Sequence, residues 1–232
     1  MIYFDGVNLE TVAPVRIEDI RISPIQFSPV TRPRAIRGGS VFVRPHDGTR
    51  TVAITFALLK DNMLSRSAFL ADIRQWAKRD KEYKLEVPTV PGKYLSCVCT
   101  AHPEPSTRQW WESKLRLVFT CYENPYWTDS AEKTVPCGSA FYAMGDAEPL
   151  MWITATRAAA ETNQTYSNGA ETMTFSEIPA GDMVIDLENQ AAEVNHVSFM
   201  SAFTFTSQFV RPRMGLQMIT GNGTVHYRER WT

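Results

Sequence analysis

Three carboxylates, Asp182, Asp186 and Glu188, fall at steps of four and two along one strand-like stretch. Paired carboxylates on a β-sandwich are the equipment of glycoside hydrolysis, one serving as acid and the other as base or nucleophile. The same spacing describes an exposed, acidic strand face, which is the plainer reading. Cys97 and Cys99 lie close to His102, a Cys/His grouping of the kind that binds zinc. Two cysteines two apart on a strand are, however, too extended for the usual C-x-x-C knuckle. With Cys121 and Cys137 they read as free, mostly buried thiols, and no disulfide framework is expected at this length and spacing. Trp127, Tyr142, Trp152 and Tyr166 could stack against sugar rings, but the aromatics of a sandwich core would look the same. Arg32, Arg34 and Arg37 could contact phosphates. No aromatics are interleaved with them, so a protein-contact arm meeting an acidic surface on a neighbouring subunit or domain fits better.

Nothing else in the chain carries chemistry. There is no G-x-S-x-G, no phosphate-cradling G-x-x-x-x-G-K, no H-E-x-x-H and no dinucleotide fingerprint. His46, His102, His196 and His226 are scattered singly. No catalytic residue, cofactor or metal site is therefore expected. Asn163-Gln-Thr and Asn222-Gly-Thr are sequons, which mean little without a secretory route.

Bulk properties exclude several classes. The chain has 232 residues, is 44% hydrophobic and 21% charged, and carries a net charge of −1, ordinary values for a globular protein. No apolar run approaches a membrane span, and MIYFDGVNLE has neither a basic n-region nor an apolar h-region. The chain reads as non-secreted and without a membrane partner. The net charge hides an asymmetry: residues 1–125 hold 18 Lys/Arg against 13 Asp/Glu (+5), and residues 126–232 hold 6 against 12 (−6). Opposite signs suggest two domains with different surfaces. Neither half is basic enough for nucleic-acid recognition.

The elements that must position these residues are mostly strands. The strong helix signal is Leu64 to Arg79, where Leu70, Ile73 and Trp76 recur at steps of three and Phe69 and Ala77 widen the stripe. Asp61, Asn62 and Ser65 all compete as its N-cap. One helix with one apolar face must cover a sheet. Before it, Val15 and Ile17 share a face and then Ile20 and Ile22 take over, a phase slip at Glu18-Asp19 of the kind a bulge makes. Ser28 to Ser40 has prolines at 29 and 33 and glycines at 38 and 39. It is too long for a tight hairpin and reads as an extended arm or loop. Val52 to Leu58, Tyr83 to Val87, Tyr94 to Thr100 and Leu115 to Cys121 alternate as strands. ENPYWTDS, residues 123–130, ends the pattern and marks a boundary. Beyond it come short strands, Met151 to Thr156, Glu171 to Ser176, Met183 to Glu188, Val194 to Met200, Phe203 to Phe205, Leu216 to Thr220 and Thr224 to Trp231. Turns at Ser167-Asn168-Gly169, Pro179 to Asp182 and Gly221-Asn222-Gly223 separate them, as in a β-sandwich or barrel.

The pieces RGGSVFVRPHDGTRTVAITFALL, IRQWAKR, VPGKYLSCV and LRLVFTCYENPYW, in that order, resemble the N-terminal domain of the distal tail proteins of long-tailed (siphovirus-type) bacteriophages. The closing stretch GNGTVHYRERW is similar to the C-terminal ends of that family. The resemblance implies a mainly β protein. Residues 1–128 would be a ring-forming β-sandwich or split barrel with one flanking helix. Residues 129–232 would be a galectin-like or carbohydrate-binding-module-like β-sandwich. It further implies a structural virion protein assembled in the bacterial host cytoplasm. Six copies would close into a baseplate hub between the tail tube protein and the tail-tip proteins. In some members of that family the second domain only docks other proteins, and in others it carries inserted host-binding modules. The roughly 105 residues after the boundary suffice only for a bare sandwich. A ring would give the arm a purpose, since head-to-tail contacts close into cyclic assemblies. Two rivals remain: a carbohydrate-binding adsorption module and a cell-wall polysaccharide hydrolase.

Overall fold

A computed structural model describes residues 1–33, 40–59, 63–101 and 114–232, with the side chains of 27–33, 40–47 and 63–65 excepted. The chain is mainly β and divides into two compact units, Met1–Trp127 and Thr128–Trp231.

The first unit is built on antiparallel pairing. Its strands run in the order Val15–Ile22, Arg50–Leu58, Lys114–Cys121, Lys93–Ala101, Tyr83–Glu86, Tyr3–Phe4 and Val7–Asn8. Arg50–Leu58 lies between Val15–Ile22 and Lys114–Cys121, and its Val52, Ile54 and Phe56 are fully buried. The phase slip expected at Glu18-Asp19 is a bulge: Ile17 pairs with Phe56 and Asp19 with Thr55, leaving Glu18 extra. A second irregularity falls between Cys99 and Ala101, within the stretch of Lys93–Ala101 that pairs with Lys114–Cys121; residues 95–97 pair with Tyr83–Glu86.

The predicted helix is Met63–Ala77. Ile73, Trp76 and Ala77 are buried and Phe69 and Leu70 half-buried, so the stripe deepens towards the C-terminus. Ser65 lies inside the helix and is not its N-cap; Asp61 and Asn62 lie outside the described residues. A second, four-residue helix, Leu9–Val12, went unread in the sequence. It is too short to show a period, and it is capped by the Asn8 side chain accepting the Glu10 N–H at 3.1 Å.

The expected arm from Ser28 to Ser40 needs correction. Phe27–Pro33 is a strand paired with Ser40–Asp47 in a ribbon of its own, and the connection 34–39 lies outside the described residues. Pro29 stands opposite Pro45 in the register. Prolines suggest loop in sequence, but a two-stranded ribbon has two outer edges where a missing N–H costs no ladder bond.

The second unit is a two-layer sandwich. One layer runs Val197–Ser198, Ala191–Val194, Gly181–Asp186, Ala147–Arg157, Thr224–Trp231 and Lys133–Pro136. The other joins the pair Ala140–Ala143 and Gly215–Met218 to the pair Glu161–Ser167 and Thr172–Ile178 through a bridge between Ser167 and Thr220. Met151, Ile153, Met183 and Ile185 from the first layer meet Phe141, Tyr166, Met173 and Phe175 from the second in one core. Phe203 to Phe205, expected as a strand, contributes only an isolated bridge from Phe203 to Phe175. Met200–Ala202 is a 3-10 turn at the end of the stretch expected as a strand from Val194.

Candidate functional site

Of the three arginines, Arg32 sits on Phe27–Pro33 opposite Val41, while Arg34 and Arg37 lie outside the described residues.

The four aromatics do not come together as an exposed platform. Tyr166 points inward from Glu161–Ser167 and is fully buried. Its hydroxyl accepts from Arg157 Nη2 at 2.8 Å and donates to the Asn222 oxygen at 3.0 Å. Burial raises its pKa above the usual phenol value, against the pull of the Arg157 charge. Trp127 is only 4% exposed. Both rings are core, as sequence alone allowed. Tyr142 is 61% exposed on the outer face of the second layer.

Trp152 is half-buried on the outer face of the first layer, in register with His226. The two rings stack with centroids 5.4 Å apart and planes 11° apart. His226 holds Glu132 through Nδ1 at 2.6 Å and Thr154 through Nε2 at 2.7 Å. The Arg228 guanidinium lies 5.9 Å from the Trp152 ring and 3.5 Å from the second Glu132 oxygen. The hydrogen bond from His226, aided by Arg228, keeps the Glu132 carboxyl below the usual range despite desolvation.

Each candidate carboxylate has a local task. Asp182 accepts the Thr156 hydroxyl at 2.7 Å. Asp186 accepts the backbone N–H groups of Glu188 and Asn189 at 3.0 Å, closing the turn after its strand. Glu188 pairs with Arg230 at 2.6 Å.

All four cysteines are free thiols, with Cys97 and Cys121 buried. Burial, then contact with Cys121, pushes the Cys97 thiol well above its usual value, and Cys99 is pushed up to about 11 by desolvation. Such thiols are poor nucleophiles at neutral pH. Among the described residues no group of three metal-capable side chains occurs, and His102 lies outside them. No helix among the described residues is long and apolar enough to cross a membrane.

Sequence reasoning missed one surface. Tyr142, Met144, Met214, Leu216 and Met218 are all exposed on and beside the paired strands Ala140–Ala143 and Gly215–Met218. The available signal was an apolar residue at both inward and outward positions of AFYAM.

No protein-family model matches the chain, and no curated protein matches it. Among solved structures, the chain is similar to SPP1 Dit, a protein presented as a paradigm of the hub adsorption apparatus in phages infecting Gram-positive bacteria. The TM-score is 0.74 at 15% identity, covering 100% of this chain and 98% of that one. A chain of the phage P2 baseplate, in its activated conformation with Ca, matches with a TM-score of 0.52 at 8% identity, covering 96% and 92%. The fold of this chain is the fold of those proteins.

Proposed function

We propose that this chain is a distal tail protein of a long-tailed bacteriophage, a structural component of the baseplate hub located in the virion tail. The observation that carries the reading is the match of both units, in order and along the whole chain, to a hub adsorption protein. In this reading residues 1–128 form a ring of six between the tail tube and the tail-tip proteins, and residues 129–232 form the projecting sandwich. Assembly takes place in the host cytoplasm. The ribbon Phe27–Pro33 and Ser40–Asp47 supports a ring contact, because it pairs with no other strand among the described residues. A two-stranded ribbon is at best marginally stable alone, and docking on a neighbour supplies the missing burial. In this reading catalysis plays no part; Asp182, Asp186 and Glu188, the carboxylates a hydrolase would need, make local contacts. Negative-stain imaging of the purified protein tests the proposal, with sixfold rings expected and a monomer at every concentration overturning it.

A second reading gives residues 129–232 a host saccharide to bind. It rests on Trp152, which stands on an outer sheet face beside His226, Glu132 and Arg228. Binding of the full chain to a glycan array, lost in Trp152→Ala, would favour it; released reducing sugar would instead revive the hydrolase.

A further inference from the structure

Arg230, on Thr224–Trp231, is only 8% exposed, yet part of its guanidinium is unused. Its Nη2 donates to Glu188 Oε1 at 2.6 Å, and its Nη1 reaches the Glu148 backbone oxygen at 3.5 Å. Its Nε is buried and has no partner among the described residues. A buried N–H without an acceptor has lost its water and gained nothing in return, so folded proteins keep few of them.

This guanidinium lines a cleft of about 280 Å³ within the second unit. The buried side chains of Leu187, Pro149 and Pro212 supply its apolar surface. Glu148, Gln190 and Arg211 stand exposed around it. Two local features bring these residues to one place. The irregularity between Ala147 and Leu150 sets Glu148 and Pro149 against the single residue Glu229, and a bulge of this kind re-aims side chains. The turn that Asp186 closes carries Glu188 and ends at Gln190, whose φ is +53°.

The lining itself selects a ligand. Its carboxylates, Glu148 and Glu188, balance its guanidiniums, Arg211 and Arg230, so neither a bare anion nor a bare cation is favoured by charge. Guanidiniums only donate and carboxylates only accept, whereas a hydroxyl does both. A ligand with several hydroxyls can therefore meet both kinds of group at once. The apolar surface suits the C–H face of a ring, which an open-chain polyol lacks. At 280 Å³ the cleft falls just below the ~300–1,000 Å³ of drug-sized ligand sites, which is room for a single ring.

We infer that this cleft binds one residue of a neutral saccharide, a ring hydroxyl accepting the Arg230 Nε–H while its neighbours donate to Glu148 and Glu188. The inference shares a ligand class with the second reading above but stands on residues other than Trp152, so each can fail without the other.

The probes are immobilised trisaccharides of glucose, galactose, rhamnose and N-acetylglucosamine, together with those of glucuronic and galacturonic acid. The full chain is expected to bind at least one of the neutral set. Arg230→Lys keeps a positive charge facing Glu188 but has no Nε–H, and it should weaken that binding about tenfold or more with an unchanged circular dichroism spectrum. Glu148→Ala/Gln190→Gly, at two exposed positions, serves if the lysine variant does not fold. Free monosaccharide should displace the chain from the surface, and sorbitol, which has the hydroxyls but no ring, should not. Binding to no neutral trisaccharide, binding to the acidic ones alone, undiminished binding by a folded variant, or equal displacement by sorbitol overturns the inference. Binding lost in Trp152→Ala but intact in Arg230→Lys keeps the second reading and removes this one; the reverse pattern keeps the cleft and removes Trp152.

Discussion

The indole N–H of Trp76 donates to the backbone oxygen of Val7 at 3.0 Å, joining the helix to the second N-terminal strand. The same ring meets Phe4 and Phe119 edge-on, with centroids 5.7 and 6.1 Å away, and Phe4 meets Phe119 at 5.0 Å. Helix, N-terminal strand and central sheet are thus joined by three rings in the edge geometry that aromatic quadrupoles favour. Just beyond the helix, Arg79 pairs with Asp5 at 3.1 Å and lies 5.5 Å from the Phe4 ring, extending the joint to the surface.

Trp76→Ala should destabilise the first unit by about 3–5 kcal/mol, as large-to-small core changes do. Trp76→Phe keeps part of the ring packing but leaves the Val7 oxygen without its donor, so a loss of about 1–3 kcal/mol is expected. Urea denaturation followed by circular dichroism measures both. A cost below about 1 kcal/mol for the alanine variant would mean that this face is wet.

In the second unit, Tyr166→Phe should cost about 1–3 kcal/mol, because it removes an acceptor from the buried Arg157 guanidinium. Gly221 sits against the same ring. Its φ is +138°, and a Cβ there would stand 2.3 Å from Tyr166 Cδ1. Gly221→Ala should therefore be destabilising, and less so in a Tyr166→Ala background, where only backbone strain remains. Thermal melts of the four proteins give the coupling; strict additivity would show that the ring does not set the cost.

Glu171 ties the Ser167-Asn168-Gly169 turn to the segment at Arg211 and Arg213. It accepts the Arg211 N–H at 2.7 Å, and Asn168 Nδ2 and Arg213 Nη2 at 3.3 Å. Burial alone would raise its pKa, but these donors and the Arg213 charge outweigh it and hold the carboxyl below its usual value. A folded-state pKa below the unfolded one means stability that is present above the unfolded pKa and lost as pH falls through the folded one. Glu171→Gln should be less stable than wild type by about 1–2 kcal/mol at neutral pH, and the gap should close as the pH falls below the usual carboxylate range. Melts across that range check it; a gap independent of pH would assign the loss to shape alone.

How much of this was legible in the chain follows from how each element signals itself. Leu115, Leu117, Phe119 and Cys121 are buried as their alternation says, and the bulge at Glu18 shows as a change of phase, since an extra residue moves every later side chain to the other face. Lys133–Pro136 and Ala140–Ala143, four residues each, are too short to show a period. Glu161–Ser167 reads ETNQTYS, with only Tyr166 buried, so its strand character lies in pairing to Thr172–Ile178 and not in its own pattern. Phe203 to Phe205 reads as a strand, yet Phe205 is fully exposed and Phe203 stacks on Phe209 at 4.9 Å in an irregular segment. Trp127, Tyr142, Trp152 and Tyr166 could not be told apart for a similar reason: residue type gives apolar area, and only the fold decides which ring faces water.

The ring contact is the remaining prediction. The segment from Ser28 to Ser40 carries Arg32, Arg34 and Arg37, and its strand Phe27–Pro33 pairs only with Ser40–Asp47 among the described residues. Acidic residues exceed basic ones by 12 to 6 in residues 126–232, the charge balance that would favour the arginines on a neighbouring copy. Replacing Arg32, Arg34 and Arg37 together with Ser is expected to leave the chain folded. The same change should weaken association, and raised salt should weaken the wild-type assembly in the same direction, as screening of charge contacts requires. Sedimentation of both proteins at low and high salt separates the cases. A wild-type monomer throughout removes the ring, whereas a triple variant that assembles as well as wild type keeps the ring and removes these arginines from its contact.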